Sequence, residues 1–168
     1  YKYAQTPATL NGAEVSLDIH PSAVSWLDLI ATYSMVNGNL SNVPDSVKVL
    51  PFVPPTKVTA DLKFNIKKIG SAIQHAYIKV GVLSCFQQNN IYKQDAIYSG
   101  LNTALGTPEY IASRSATKGY TLLNAGIGGQ IMSKGHEFCE LYIVCNNLLN
   151  TGYSDYMSRF KYWPVNNT

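Results

Sequence analysis

The sequence predicts an all-β protein, an antiparallel segment of a transmembrane β-barrel, on three observations. Apolar and polar residues alternate with period two in six separate stretches. Each stretch runs for about nine to eleven residues, and the connections between them alternate between short and long. Strands of globular proteins run closer to about five or six residues, whereas a tilted crossing of a bilayer takes about nine to eleven.

The first run sets Ala13, Val15, Leu17 and Ile19 against Glu14, Ser16 and Asp18. The second begins at Trp26 and sets Leu27, Leu29, Ala31, Tyr33 and Met35 against Asp28, Thr32 and Ser34, with Ile30 and Val36 as exceptions. The third is the cleanest, Val58, Ala60, Leu62, Phe64 and Ile66 against Thr59, Asp61, Lys63 and Asn65. In the fourth, Ala76, Ile78, Val80, Val82 and Phe86 oppose Tyr77, Lys79 and Gly81. The fifth opposes Leu123, Ala125, Ile127 and Ile131 to Asn124, Gly126, Gly128 and Gln130. The sixth has Leu141, Ile143 and Cys145 on one face and Glu140, Tyr142 and Asn146 on the other. No helical period competes over a comparable stretch.

Short connections fall at residues 20–25, 67–75 and 132–137, long ones at 37–57 and 87–119, and another long one starts near Asn150. A sheet with all its short turns at one end and all its long loops at the other is sided, as outer-membrane barrels are, with periplasmic turns and extracellular loops. Asp61, Lys63, Asn65, Lys79 and Glu140 then face a hydrated lumen, and the uncharged partner faces suit lipid. Aromatic residues gather at the predicted strand ends, at Trp26, Phe86, Tyr92, Tyr120, Phe138 and Tyr153, where an amphipathic ring lies at headgroup level. A half-exposed sheet in water produces the same alternation. A soluble extracellular or periplasmic β-sandwich that binds carbohydrate through Tyr-rich loops therefore stays open as the alternative.

Composition narrows the classes further. The 168 residues are 46% hydrophobic and 14% charged, which supplies a sizeable apolar surface and excludes intrinsic disorder. No window approaches ~18 uninterrupted apolar residues, so no helical span is expected, a test that a β-barrel escapes. The net charge is +3 and no basic run exceeds Lys67-Lys68, which excludes a nucleic-acid footprint.

Catalytic and metal motifs are weak. No G-x-S-x-G elbow occurs, and His20, His75 and His136 fall in predicted short turns, where solvated side chains are expected. Gly126-Ile127-Gly128-Gly129 lies inside a strand pattern with no following helix, so close backbone packing or a strand bend explains it better than a dinucleotide loop. Cys139 and Cys145 stand roughly 20 Å apart along one predicted strand, too far to bridge. With Cys85 they read as small buried hydrophobes, and no metal, cofactor or enzyme activity is implied. Ligand-binding candidates lie instead in the predicted external loops, at Tyr92, Tyr98, Tyr153, Arg159, Tyr162 and Trp163, where rings and cations suit sugars or anionic groups. The chain opens at Tyr1 without Met or a signal peptide and closes on Asn166-Asn167-Thr168 without a finishing strand, so we read it as a segment of something longer.

Several stretches carry a family likeness. Val15-Ser16-Leu17-Asp18-Ile19-His20-Pro21, followed by Trp26-Leu27 and Tyr33-Ser34-Met35-Val36, has the form of a strand–turn–strand unit. Pro44-Asp45-Ser46 with Leu50-Pro51-Phe52-Val53-Pro54 has that of an external loop returning to a strand. Gly119-Tyr120-Thr121-Leu122-Leu123-Asn124-Ala125-Gly126-Ile127-Gly128 is followed by Asn146-Asn147-Leu148-Leu149-Asn150, Tyr153 and Ser158-Arg159-Phe160-Lys161-Tyr162. In this order and spacing the chain resembles the C-terminal barrel region of TonB-dependent outer-membrane receptors of the Bacteroidetes type. The resemblance implies that residues 1–168 are about six strands of a 22-stranded barrel in the bacterial outer membrane, with the plug domain and the final strand outside them. It implies import of a ferric siderophore, haem, cobalamin or a glycan. Energy would come from the TonB complex through the plug, the wall would contact outer-membrane lipid, and no covalent chemistry is needed. Replacing Tyr92, Tyr98, Tyr153 and Trp163 by alanine in the full-length receptor is expected to weaken ligand binding and leave barrel assembly intact; unchanged affinity removes the loop assignment.

Overall fold

The computed structural model describes residues 5–45, 48–91 and 116–158. Six strands form one antiparallel sheet in strict chain order. They are β1 (Ala8–Ile19), β2 (Leu27–Leu40), β3 (Lys57–Ile69), β4 (Ile73–Cys85), β5 (Tyr120–Ser133) and β6 (His136–Cys145). Each strand pairs with its sequence neighbour, β1 and β6 are the edges, and the sheet is open. No helix among the described residues is long and apolar enough to cross a membrane; one 3-10 turn, Ser22–Val24, shapes the β1–β2 connection.

Register converts alternation into two faces. Val15 opposes Tyr33 and Leu17 opposes Ala31. Leu29 continues to Leu62 and Leu62 to Val80. Val80 meets Ala125, Ile78 meets Ile127, and Ile127 meets Ile143. None of these positions is charged, so one face is an unbroken apolar band across all six strands. The same pairings gather Asp61, Lys63, Asn65, Tyr77 and Lys79 on the opposite face.

Among the described residues neither face is packed into a core. Leu17, Leu62, Ile78, Ile127 and Ile143 on the apolar face are 40% to 67% exposed. Among the described residues the buried hydrophobic side chains are Val53, Ala76, Cys85 and Tyr156, and no second sheet lies over either face.

The strands run to 10–14 residues, longer than the alternation alone predicts. Hydrogen-bonded ladders continue past the apolar band into polar ends, through Asn37 and Asn39 in β2 and Lys67 and Lys68 in β3. The turns shrink accordingly. Gly70 and Gly135 take positive φ, 63° and 85°, and let the chain reverse within residues 70–72 and 134–135. His75 and His136 therefore sit inside β4 and at the start of β6, and the turn placement expected of both is corrected. His75, with φ 48°, lies at a bulge where β4 slips against β5 between Gln74 and Tyr77. Phe86 falls one residue beyond β4, and Ser84 takes its place on the apolar face. The cysteine expectation is corrected too: Cys85 is buried, but Cys139 is half-buried and Cys145 exposed, and all three are free thiols.

At the other rim residues 48–56 fold back on the sheet. The Leu40 N–H donates to the Lys48 carbonyl (2.7 Å) and the Leu50 N–H to the Gly38 carbonyl (3.0 Å). Val53 and Pro55 are buried there, and Gln88 Nε2 donates to the Val53 carbonyl at 3.0 Å. Gly119, just before β5, passes so close to β4 that a Cβ would stand 2.9 Å from the Cys85 carbonyl oxygen and 3.0 Å from the Gln87 nitrogen. Backbone cannot swing aside as a side chain can. Gly119→Ala is expected to destabilise the sheet by about 1–3 kcal/mol, read from chemical denaturation followed by far-ultraviolet circular dichroism.

Candidate functional site

The polar face is laid out in rows by the register. Across β3, β4 and β5 one row reads Asp61, Gly81, Asn124 and the next Lys63, Lys79, Gly126. The third reads Asn65, Tyr77, Gly128. The glycines make room for side chains leaning in from neighbouring strands. The Asp61 carboxylate occupies the space where Gly81 would carry a Cβ, and the Tyr77 ring lies over Gly128, with its phenol 2.7 Å from that Cβ position. Lys79 Nζ then reaches Asp61 Oδ2 at 3.1 Å, and Lys63 Nζ sits 4.7 Å from the centre of the Tyr77 ring. Both members of the Lys79–Asp61 pair are partly exposed, so its worth is about 0–1 kcal/mol and its effect is chiefly to orient the two side chains. Above Gly126 the face opens into a groove of about 410 Å³ lined by Thr59, Asp61, Lys79, Asn124 and Asn146.

A second cluster forms at the long-loop rim. Lys57, Cys85 and Tyr120 occupy one row of the polar face. After β6 the chain turns inward over that row. Asn147 takes φ 54°, its N–H donates to Asn124 Oδ1 (2.9 Å), and its side chain brackets Thr151, donating to the carbonyl and accepting from the N–H at 3.0 and 2.8 Å. Tyr153 then packs on Tyr120 with ring centres 4.4 Å apart. The Tyr120 hydroxyl donates to Asp155 Oδ2 at 3.1 Å, and Lys57 Nζ stands 3.8 Å from the same oxygen.

A third cluster lies at the short-turn rim. His20 follows β1, and its Nδ1 lies 2.7 Å from Asp28 Oδ1 while its Nε2 lies 3.0 Å from Asp18 Oδ1. Asp28 also accepts from Asn65 Nδ2 at 2.6 Å, which ties the turn to β3. Both ring nitrogens face carboxylates, so both contacts are satisfied together only by the imidazolium.

Asp61, Lys63, Asn65, Lys79 and Glu140, named from the sequence, all fall on the polar face; Glu140 pairs with Gln130 beyond the Tyr77 row. Tyr153 is half-buried against Tyr120. Tyr92, Tyr98, Arg159, Tyr162 and Trp163 lie outside the described residues. Asp28 and His20, read as an ordinary polar-face residue and a solvated turn residue, are joined with Asp18 into one cluster. Lys57, Tyr120 and Asp155 come together only through the path taken after β6, which no periodicity encodes. Among the described residues no group of three or more His, Cys, Asp or Glu side chains is placed to hold a metal ion. Comparison with protein-family models, with curated proteins and with solved structures gave no match for this chain.

The hydrogen bond that His20 donates to Asp28, and then the charge of Asp18, raise the His20 pKa above its ordinary value of 6.5. A raised pKa means that the cluster's contribution is fully present below about pH 6.5 and is lost as the pH climbs through the higher folded value. Titration of His20 by NMR is expected to give a pKa above 6.5, and Asp28→Asn is expected to bring it back down; a His20 that titrates normally in the parent chain removes the cluster.

Proposed function

We propose that the chain is a stretch of barrel wall from a TonB-dependent outer-membrane receptor, a nutrient importer for a ferric siderophore, haem, cobalamin or a glycan. The observation that carries this reading is the uncovered apolar band. Leaving such a band in water forgoes roughly 25 cal/mol per Å² of apolar surface, summed over six strands. Against hydrocarbon the same band incurs no such loss, and its lack of charge is what hydrocarbon requires.

Three further features agree. A strand of 13 residues spans about 43 Å at roughly 3.3 Å per residue, enough to cross a hydrocarbon layer of about 30 Å at a tilt of 45°. Short turns share one rim and long loops the other, as periplasmic turns and extracellular loops do. Trp26 stacks on the apolar-face residue Phe64 at 6.0 Å at the short-turn rim, in the manner of an interfacial aromatic girdle.

In this reading β1 and β6 pair with further strands, since hydrocarbon does not tolerate unpaired backbone groups. The polar face lines the lumen, with Asp61, Lys63, Asn65, Lys79 and Glu140 along a hydrated path or against a plug. The plug connects the wall to the TonB complex, and the long loops bind ligand. The wall positions and passes its cargo without covalent chemistry.

A charge on the lipid face of a barrel costs about 2–4 kcal/mol near the bilayer midplane. Val80→Lys in the full-length protein is therefore expected to reduce the amount assembled in the outer membrane, read by fractionation and heat-modifiable gel mobility, while Ser16→Lys on the polar face is expected to leave it unchanged. A soluble protein that tolerates Val80→Lys overturns the reading and favours the carbohydrate-binding sandwich.

A further inference from the structure

The segment of residues 146–158 meets the sheet in two parts, a root at residues 147–151 and a tip at residues 153–158. At its root the Leu148 N–H donates to the Leu123 carbonyl at 2.7 Å, the Asn147 N–H to Asn124 at 2.9 Å, and the Asn150 N–H to the Asn147 carbonyl at 2.8 Å. The Asn147 side chain closes a ring with Thr151 at 3.0 and 2.8 Å. Beyond the root, Tyr153 and Asp155 reach the sheet through side chains: one ring pair, one phenol hydrogen bond, and one ion pair at 3.8 Å. Both polar contacts converge on a single carboxylate oxygen of Asp155. Between root and tip lies Gly152, whose Cβ position meets no heavy atom within 4 Å and whose backbone has the wide conformational range of glycine. The Asp155 carboxylate is further shaped by the tip's own turn, where its other oxygen accepts from the Met157 N–H at 2.8 Å and its carbonyl from the Ser158 N–H at 3.1 Å.

We propose that residues 146–158 form a displaceable strap, hinged at Gly152, that closes over the Lys57–Cys85–Tyr120 row with Asp155 as its catch. This geometry does not depend on the barrel reading, although in a barrel the strap would narrow the lumen at its long-loop mouth. Closed, the strap sets Tyr153 on the Tyr120 ring and Asp155 against the Tyr120 hydroxyl and Lys57, beside Cys85, which is only 4% exposed. Opening breaks the Asp155 contacts and the Tyr120–Tyr153 pair while the root stays fastened. Tyr156 is buried, and Ser154, Tyr156 and Ser158 each hold a partner in the closed form, so opening carries all three from their places with the tip.

Cys85 reports the motion directly. In the full chain, maleimide labelling followed residue by residue by mass spectrometry is expected to show Cys85 protected at least tenfold relative to the denatured protein. Asp155→Asn is expected to raise the Cys85 rate at least tenfold and leave Cys139 and Cys145 unchanged. Tyr120→Phe keeps the ring pair and loses the hydrogen bond, and is expected to raise the Cys85 rate by a smaller factor. Equal Cys85 rates in the parent chain and both variants overturn the proposal. So does a parallel rise at all three cysteines, which is loosening of the sheet and not release of a strap.

Discussion

Strand register is the constraint on which everything else in this molecule rests. With a side-chain period of two, a slip of one residue between β3 and β4 would carry Lys79 to the face that holds Leu62 and set Val80 beside Asp61 and Lys63. Several devices hold it. The tight reversals at Gly70 and Gly135 leave no slack at the short-turn rim. Thr32 and Thr59 hydrogen-bond at 2.6 Å across directly opposed positions, and Asn65 reaches Asp28 on the adjoining strand. Cross-strand pairs of this kind contribute about 0.2–1 kcal/mol each, modest singly but all favouring the same alignment.

The polar face shows how a sheet without a core still fixes its side chains. Gly81 and Gly128 are absences that neighbours fill, Asp61 over the first and Tyr77 over the second. Once there, each serves as an anchor for a lysine, Lys79 and Lys63 respectively. The result is a set of oriented charges on a surface that would otherwise hold long, freely rotating side chains. Such orientation fixes where anything that meets this face finds positive and negative charge.

Much of this was legible in the sequence. Period-two runs identified all six strands and their faces, because alternation is imposed by the pleat itself. The short and long connections were legible from where the runs stop. Boundaries were less so: the hydrogen-bonded ladder continues through Lys67, Lys68 and His75, whose polarity resembles that of a turn. The three-residue cluster of Asp18, His20 and Asp28 requires knowing that the Ser22–Val24 turn brings both carboxylates to one ring. Asp155 was the least legible. Its partners Lys57 and Tyr120 are supplied by strands far away in sequence, and a segment without regular structure gives no period from which to infer its path.

The strict chain-order topology also sets an order of assembly. Within β1–β2, β3–β4 and β5–β6 the partners are joined by short turns, so these hairpins close with little loss of chain entropy and form on microsecond timescales. The seams between hairpins, β2 to β3 and β4 to β5, must wait for long loops to close. Misregistration is therefore concentrated at those two seams. The bulge between Gln74 and Tyr77 lies on one of them and gives β4 and β5 an irregular edge that fits in a single alignment, while β2 and β3 rely on eight paired positions and the Asn65–Asp28 bond. In a chain built this way the pairings within hairpins are local and the two seams are not, so the joining of the hairpins is the step at which the alignment of the sheet is decided.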